Sequence, residues 1–290
     1  MEHIMSGLPV AAALLQKASE EAAKLKEKGI TPKLALLRVG ESPEDLRYER
    51  NLIKKAAQIG AETEVHVLPE NASEDDMRAA IWQMDEDHGV HGIMVFRPLP
   101  AGINEEAICQ EINPEKDVDG ATEGSLAGVF MQHERGFAPC TARAVMEMLD
   151  YYGVELSGKK VTVIGRSLVV GRPLACMLLA KNATVTIAHS KTADLAAEAR
   201  SADILISATG MPKMVDQSYI REGQIVVDVG VAFDPQSGKL CGDVDFEEVE
   251  ALASSITPVK GGVGAVTTAV LMTQVVEAAI RLNRKPSWTD

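Results

Sequence analysis

No C-x-x-C pair occurs in this chain, and its four cysteines (Cys109, Cys140, Cys176 and Cys241) are scattered, so neither a zinc site nor a disulfide framework is expected. The six histidines are scattered too and suggest no metal site. Basic charge is short: 29 Lys and Arg stand against 42 Asp and Glu, a net charge of −13, which argues against nucleic acid or an anionic membrane surface as partner. A small anionic ligand stays admissible, because a local cationic pocket can form on an acidic protein. Hydrophobic residues make up 46% of the chain but form no long apolar run, so no membrane span is expected. The N-terminus lacks the basic-then-apolar form of a signal peptide, and no repeat or low-complexity segment is visible. The expectation is a reduced, cytoplasmic protein whose 290 residues suffice for two domains.

What is present is concentrated at 161–173, V-T-V-I-G-R-S-L-V-V-G-R-P. Four β-branched residues run into Gly165, polar residues turn the chain, and Gly171-Arg172-Pro173 opens a stretch with helical spacing. A strand that ends in a turn at a helix N-terminus offers free N–H groups and a favourable dipole to an anion, here a dinucleotide pyrophosphate. The G-x-G-x-x-G fingerprint is incomplete, since its second glycine is Ser167 and its third position is Val170. Support comes from further strands expected at 184–188, 203–210 and 224–230, with helices around 171–181 and 191–201. That rhythm predicts a doubly wound parallel sheet. NAD sites place a carboxylate at the end of the second strand to hold the ribose diol. Here the position reads His189-Ser190-Lys191, with Arg166 at the tip of the first strand. A guanidinium, a hydroxyl and an ammonium suit a 2′-phosphate, so NADP is expected over NAD.

The first half also reads as α/β. Helices are expected at 8–28, 43–59 and 74–85, and strands at 34–39, 65–68 and 92–96, the last meeting the break Pro98-Leu99-Pro100. Residues 113–138 read as turn-rich, a helix near 141–152 as the bridge to the second domain, and a last helix from about 267 to 283 as returning to the first.

These residues together resemble the methylenetetrahydrofolate dehydrogenase/cyclohydrolase family. The resemblance rests on V-G-E-S-P with Tyr48 at 39–48, P-L-P at 98–100, K-D-V-D-G at 116–120, P-C-T at 139–141, G-R-S-x-x-V-G-R-P at 165–173 and T-P-V-K-G-G-V-G at 257–264. It implies two α/β domains with a folate cleft between them. The first would be a folate-binding catalytic domain at 1–138, completed by the helix at 267–290. The second would be a Rossmann-like NADP-binding domain at 139–266 that forms a homodimer. The implied reactions are NADP-dependent oxidation of 5,10-methylenetetrahydrofolate by hydride transfer, then hydrolysis of the methenyl product to 10-formyltetrahydrofolate.

By the same resemblance Asp119 would bond the pterin amino edge, and Tyr48 would stack on or bond near the reacting ring. Pro98, Leu99, Pro100, Gly261, Gly262 and Val263 would line the substrate. Gly165, Arg166, Ser167, Val170, Gly171, Pro173, His189, Ser190, Lys191, Thr209 and Gly210 would hold the cofactor. Judged without the family, Tyr48 reads as a half-buried helix aromatic and Asp119 as a turn-former. The family's cyclohydrolase lysine, four residues after the tyrosine, is Leu52 here, and its supporting glutamine is Phe96. Neither can accept a proton or polarise water, so hydrolysis should be weak or lost. Lys55, seven residues past Tyr48, returns to the same helix face and is the possible stand-in. Arg97 should point to the opposite face of its strand from Phe96 and is not expected to substitute. Lys260 and Ala265 replace family prolines around the glycine run, which leaves the rigidity of that loop in doubt. Three readings stay open: a monofunctional dehydrogenase, a fully bifunctional enzyme, and a paralogue that binds folate or dinucleotide without this catalysis.

Overall fold

Parallel sheets organise both halves of the chain. The computed structural model describes residues 3–234 and 238–284. In chain order the helices are α1 (Gly7–Glu27), α2 (Pro43–Gln58), α3 (Glu74–Glu86), α4 (Glu105–Cys109), α5 (Glu123–Met131), α6 (Cys140–Tyr151), α7 (Gly171–Ala180), α8 (Leu195–Ser201), α9 (Phe246–Val249) and α10 (Val263–Leu282). The strands are β1 (Lys33–Val39), β2 (Glu62–Leu68), β3 (Gly92–Val95), β4 (Lys160–Ile164), β5 (Thr184–Ala188), β6 (Ile204–Ser207), β7 (Ile225–Asp228), β8 (Ala232–Phe233), β9 (Leu240–Cys241) and β10 (Ser255–Ile256). Two compact units result: one runs from Ala12 to Ala138 and resumes at Thr268, and the other joins the segment through Ala11 to Pro139–Thr267.

In the first unit β2, β1 and β3 form a parallel sheet in that order. The five central residues of β1, L-A-L-L-R, are buried, as expected of a middle strand covered on both faces. Ala35 and Leu37 pack with Met77, Ile81 and Met84 of α3 and with Ile93 and Val95 of β3. Ser42 caps α2 by accepting from the Asp45 N–H at 3.1 Å, Pro43 opens the helix, and Glu44 and Asp45 sit in its first turn. Leu52 and Ala56 are its buried stripe. Ser73 and Asp76 form a capping box on α3.

The second unit is built on a five-stranded parallel sheet in the order β10-β7-β6-β4-β5, with a small antiparallel pair β8–β9. Strand β4 leads into α7, β5 into α8, and the chain returns to β6, so the doubly wound expectation is met. Leu205, Val226, Val244, Val249 and Ile256 lie in its core.

Several expectations need correcting. The stretch 113–138 is not only turns, because it contains α5. Gly124 and Gly128 sit there as packing residues: a Cβ on Gly128 would lie 2.0 Å from the Arg135 carbonyl oxygen, and one on Gly124 2.4 Å from the Pro114 ring. Helix α8 begins four residues later than expected, at Leu195, where Asp194 accepts from the Ala197 N–H at 2.9 Å. A long apolar stretch does exist: the 20-residue α10 holds an 18-residue window of mean hydropathy 1.6. It is a core helix, with Gln274 fully buried and donating to the Val118 carbonyl at 2.6 Å. The segment through Ala11 also belongs with the second unit, where Ile4 bridges Ile256 and the Gly7 N–H donates to the Gly261 carbonyl at 2.7 Å.

Candidate functional site

The turn after β4 has the form that an anion cradle needs. Gly165 takes φ +119°, and its N–H donates to the Ala188 carbonyl at 2.9 Å. A Cβ there would sit 2.2 Å from the Ala208 carbonyl oxygen, and one on Gly171 would sit 2.1 Å from the Gly165 carbonyl oxygen. Both positions therefore exclude any side chain. Ser167 closes the turn by accepting from the Val170 N–H at 3.1 Å. Helix α7 begins with no side-chain cap on its first amides, so its N-terminus keeps its capacity for an anion. Arg166 and Ser167 are exposed around this turn, while Pro173 is buried in the first turn of α7.

Past β5, His189, Ser190 and Lys191 form a tight polar turn. The His189 N–H donates to Thr192 Oγ1 at 2.9 Å, and the Lys191 N–H donates to His189 Nδ1 at 3.1 Å. Thr192, which sequence reasoning passed over, thus shapes the loop. Asp194, the first carboxylate after β5, is occupied with capping α8. The tip of β6 is held from below: Asp243, fully buried, accepts from Ser207 Oγ at 3.0 Å and from the Thr209 N–H at 2.6 Å. Gly210 follows with φ +69° and open space where a Cβ would stand.

Replacing Gly165 with alanine should cost on the order of 1–3 kcal/mol in stability, because backbone must shift to admit the methyl. NADP affinity should fall with it. Gly210→Ala meets no atom and should cost about 1 kcal/mol of backbone strain. Thermal melting and cofactor titration of the two variants check the contrast; equal effects would remove the cradle argument.

In the other unit, Tyr48 on α2 and Phe96 just beyond β3 meet edge to face, with ring centroids 5.9 Å apart and planes at 73°. Leu52, one helical turn past Tyr48, is completely buried, and Phe96 is 4% exposed. Lys55 does not turn back toward Tyr48: its ammonium donates to Gln58 Oε1 at 3.3 Å, one turn further along the helix. Arg38 and Glu49 form a buried pair at 2.8 Å that ties α2 to β1, a long-range contact that no local signal announced.

Asp119 lies in the loop after Lys116. Its neighbour Asp117 is fully buried and accepts from the Ala121 N–H at 3.0 Å, the Thr122 N–H at 2.8 Å and Ser125 Oγ at 2.6 Å. Asp117 therefore shapes the loop, while Asp119 stays about a quarter exposed. Arg97 has a partner that the sequence did not indicate. Strand β3 ends at Val95, so strand alternation does not govern Arg97, and its Nη2 donates to Asp119 Oδ2 at 2.8 Å. The Pro98-Leu99-Pro100 turn is fixed by Glu105, whose Oε2 accepts from the Leu99 N–H at 2.9 Å. Burial pushes the nearby Cys109 thiol up to about 11, so it is neutral and unreactive at ordinary pH. Gly261, Gly262 and Val263 belong to the dinucleotide unit, Gly261 with φ +73° and Val263 opening α10. Their loop is anchored through Thr257, whose Oγ1 accepts from the Asp228 N–H at 2.8 Å.

Two family models match the chain: the catalytic domain of tetrahydrofolate dehydrogenase/cyclohydrolase over residues 5–119 and its NAD(P)-binding domain over residues 139–283. The bifunctional protein FolD of Carboxydothermus hydrogenoformans is 48% identical over 284 residues, covering 98% of this chain and 99% of that protein. Among solved structures, a bifunctional FolD methylenetetrahydrofolate dehydrogenase/cyclohydrolase from Campylobacter jejuni superposes with a TM-score of 0.93 at 40% identity, covering 96% of this chain and 98% of that one. The Trypanosoma brucei methylenetetrahydrofolate dehydrogenase-cyclohydrolase, complexed with NADP cofactor and inhibitor, gives 0.90 at 35% identity, covering 98% of this chain and all of that one.

Proposed function

Because this chain belongs to the tetrahydrofolate dehydrogenase/cyclohydrolase family, we propose that it oxidises 5,10-methylenetetrahydrofolate to the 5,10-methenyl form with NADP, and that it hydrolyses the product weakly or not at all. One observation carries the second half: Leu52 and Phe96 are buried hydrocarbon beside Tyr48, where the ring-opening step would need a group that handles a proton. Lys55 is no substitute, because its ammonium is engaged with Gln58.

The hydride step makes smaller demands on side chains. Bound NADP supplies the hydride acceptor, and the folate's own nitrogens stabilise the cation that develops, so the protein's task is alignment. In this reading Asp119 accepts from the pterin amino edge, Tyr48 covers the reacting ring, and Pro98 to Pro100 border the substrate. Gly165 to Gly171 take the pyrophosphate. Arg166, Ser190 and Lys191 serve the 2′-phosphate, a preference supported by the engagement of Asp194 in capping α8. Folate then belongs to the unit begun at Ala12, and NADP to Pro139–Thr267. The same reading includes a cytoplasmic homodimer, for which β5, at the sheet edge with Ile187 exposed, is the face to cover.

Purified protein supplied with methylenetetrahydrofolate and NADP should reduce the cofactor while methenyl absorbance accumulates. No reduction with NADP or NAD would leave a binding paralogue as the surviving reading.

A further inference from the structure

Strand β1 is paired on both sides, to β2 and to β3, and its buried run L-A-L-L-R ends in a charged side chain, Arg38. The Arg38 guanidinium donates from Nε to Glu49 Oε2 at 2.8 Å and from Nη1 to the Gly40 carbonyl. The two side chains of the ion pair are 7% and 12% exposed. One guanidinium therefore joins the middle strand, the Gly40 turn (φ +71°) and α2. A buried pair is a poor source of stability, because desolvation offsets much of the attraction; what it supplies is a direction. At about 100° per residue, Tyr48, Leu52, Ala56 and Glu49 fall in that order within roughly 100° of the α2 surface. Leu52 and Ala56 are the buried stripe, so Tyr48 and Glu49 stand on its two flanks. On the Tyr48 flank the ring meets Phe96 edge to face, 5.9 Å between centroids. Aromatic pairs are satisfied over roughly 4.5–7 Å, whereas an N–H···O bond holds its length within about 0.5 Å. The stripe and the rings thus leave α2 some freedom to turn about its axis, and the bond on the Glu49 flank removes it.

We infer that Arg38 and Glu49 are positioning residues for the folate site: their bond sets the rotation of α2 on β1, and with it the place of Tyr48 against the substrate ring. This rests on the proposed function, in which Tyr48 covers the reacting ring, and deepens it. Side chains extend roughly 5–6 Å from a helix axis, so turning α2 by about 10° carries one by about 1 Å. A gap of that size forfeits up to about half of the dispersion attraction of a ring contact. Fixing the helix before the substrate arrives also removes an ordering cost that binding would otherwise carry. Hydrocarbon in place of the pair would fill the space without specifying the angle.

The test combines Arg38→Met with Glu49→Met in the full chain, with and without Tyr48→Ala, and titrates tetrahydrofolate calorimetrically into each. The apolar pair should melt at the natural temperature or above, because it removes both buried charges together. It should nevertheless weaken tetrahydrofolate binding about tenfold and raise the methylenetetrahydrofolate KM similarly, with NADP affinity unchanged. In the Tyr48→Ala background the same replacement should change folate binding by less than about twofold, since the side chain through which the pair acts is gone. Glu49→Gln keeps an acceptor for the guanidinium and should lose less than about threefold. Arg38→Lys, whose ammonium lacks the planar fork that reaches Glu49 and Gly40 together, carries the same cycle with Tyr48→Ala if the apolar pair melts early. A merely structural role would lower folate and NADP affinity together and by equal factors in both backgrounds. That result, or natural folate affinity in the apolar pair, overturns the inference. Failure of the natural chain to bind tetrahydrofolate overturns it together with the functional reading. Folate binding without cofactor reduction, with the coupling to Tyr48 intact, sinks only the reading and supports the inference.

Discussion

Replacing Leu52 with lysine and Phe96 with glutamine raises methenyltetrahydrofolate hydrolysis by about 10²-fold, the low end of what a positioned proton-handling group contributes. The natural chain, in contrast, should hydrolyse this substrate no faster than buffer. Position 52 is fully buried, which is costly for an ammonium and useful for the chemistry: desolvation disfavours the charged form, so a lysine there titrates closer to neutrality and can exchange a proton. The glutamine is needed as well, because a lone amine facing the Phe96 ring has no polar partner to orient it or the attacking water. Leu52→Lys alone should therefore destabilise the protein by a few kcal/mol with little gain in rate. The dehydrogenase reaction should survive in the double variant, since hydride transfer uses neither side chain. Stopped assays on methenyltetrahydrofolate decide the matter, and rapid hydrolysis by the natural chain would remove the claim that hydrocarbon has displaced the catalytic pair.

What the sequence made legible was local. The run V-T-V-I-G into G-R-P is a strand, a turn and a helix start within thirteen residues, and each piece follows from side-chain branching and glycine freedom. That Leu52 and Phe96 stand where the family carries a lysine and a glutamine is what the resemblance implied, and both side chains are buried. What was not legible depends on partners far along the chain. Gly124 and Gly128 look like turn residues until Pro114 and Arg135 are placed against them. Nothing in the sequence pairs Arg97 with Asp119, 22 residues on, until the fold brings the two together. Asp117 and Asp119 are equivalent in D-V-D-G as text. Only burial divides them, one to hold the loop and the other to face outward.

Asp228 should make the dinucleotide unit less stable as pH rises, by up to about 4 kcal/mol. Its carboxyl is 6% exposed at the end of β7, where a Cβ on Gly242 would fall 1.8 Å from Oδ2. Burial pushes its pKa from 3.8 up to about 7, the Asp243 carboxylate adds to the push, and the Gly230, Asp243 and Val244 amides pull the other way. A group whose folded pKa is raised contributes stability that is fully present below its unfolded value, near pH 4, and lost as pH climbs through 7. Melting temperatures of the natural chain should accordingly fall, relative to Asp228→Asn, between pH 4 and 7, and the difference should level off above pH 8. A gap of that size corresponds to roughly 10 °C for a unit of this length. The loss reaches the cofactor site, because two of the three amides that Asp228 accepts from belong to Asp243 and Val244, and Asp243 in turn holds the Thr209 backbone. NADP affinity should then weaken over the same pH interval in the natural chain and less so in Asp228→Asn. A melting difference that stays constant from pH 5 to 8 would mean that the three amides win over burial and that Asp228 is charged throughout.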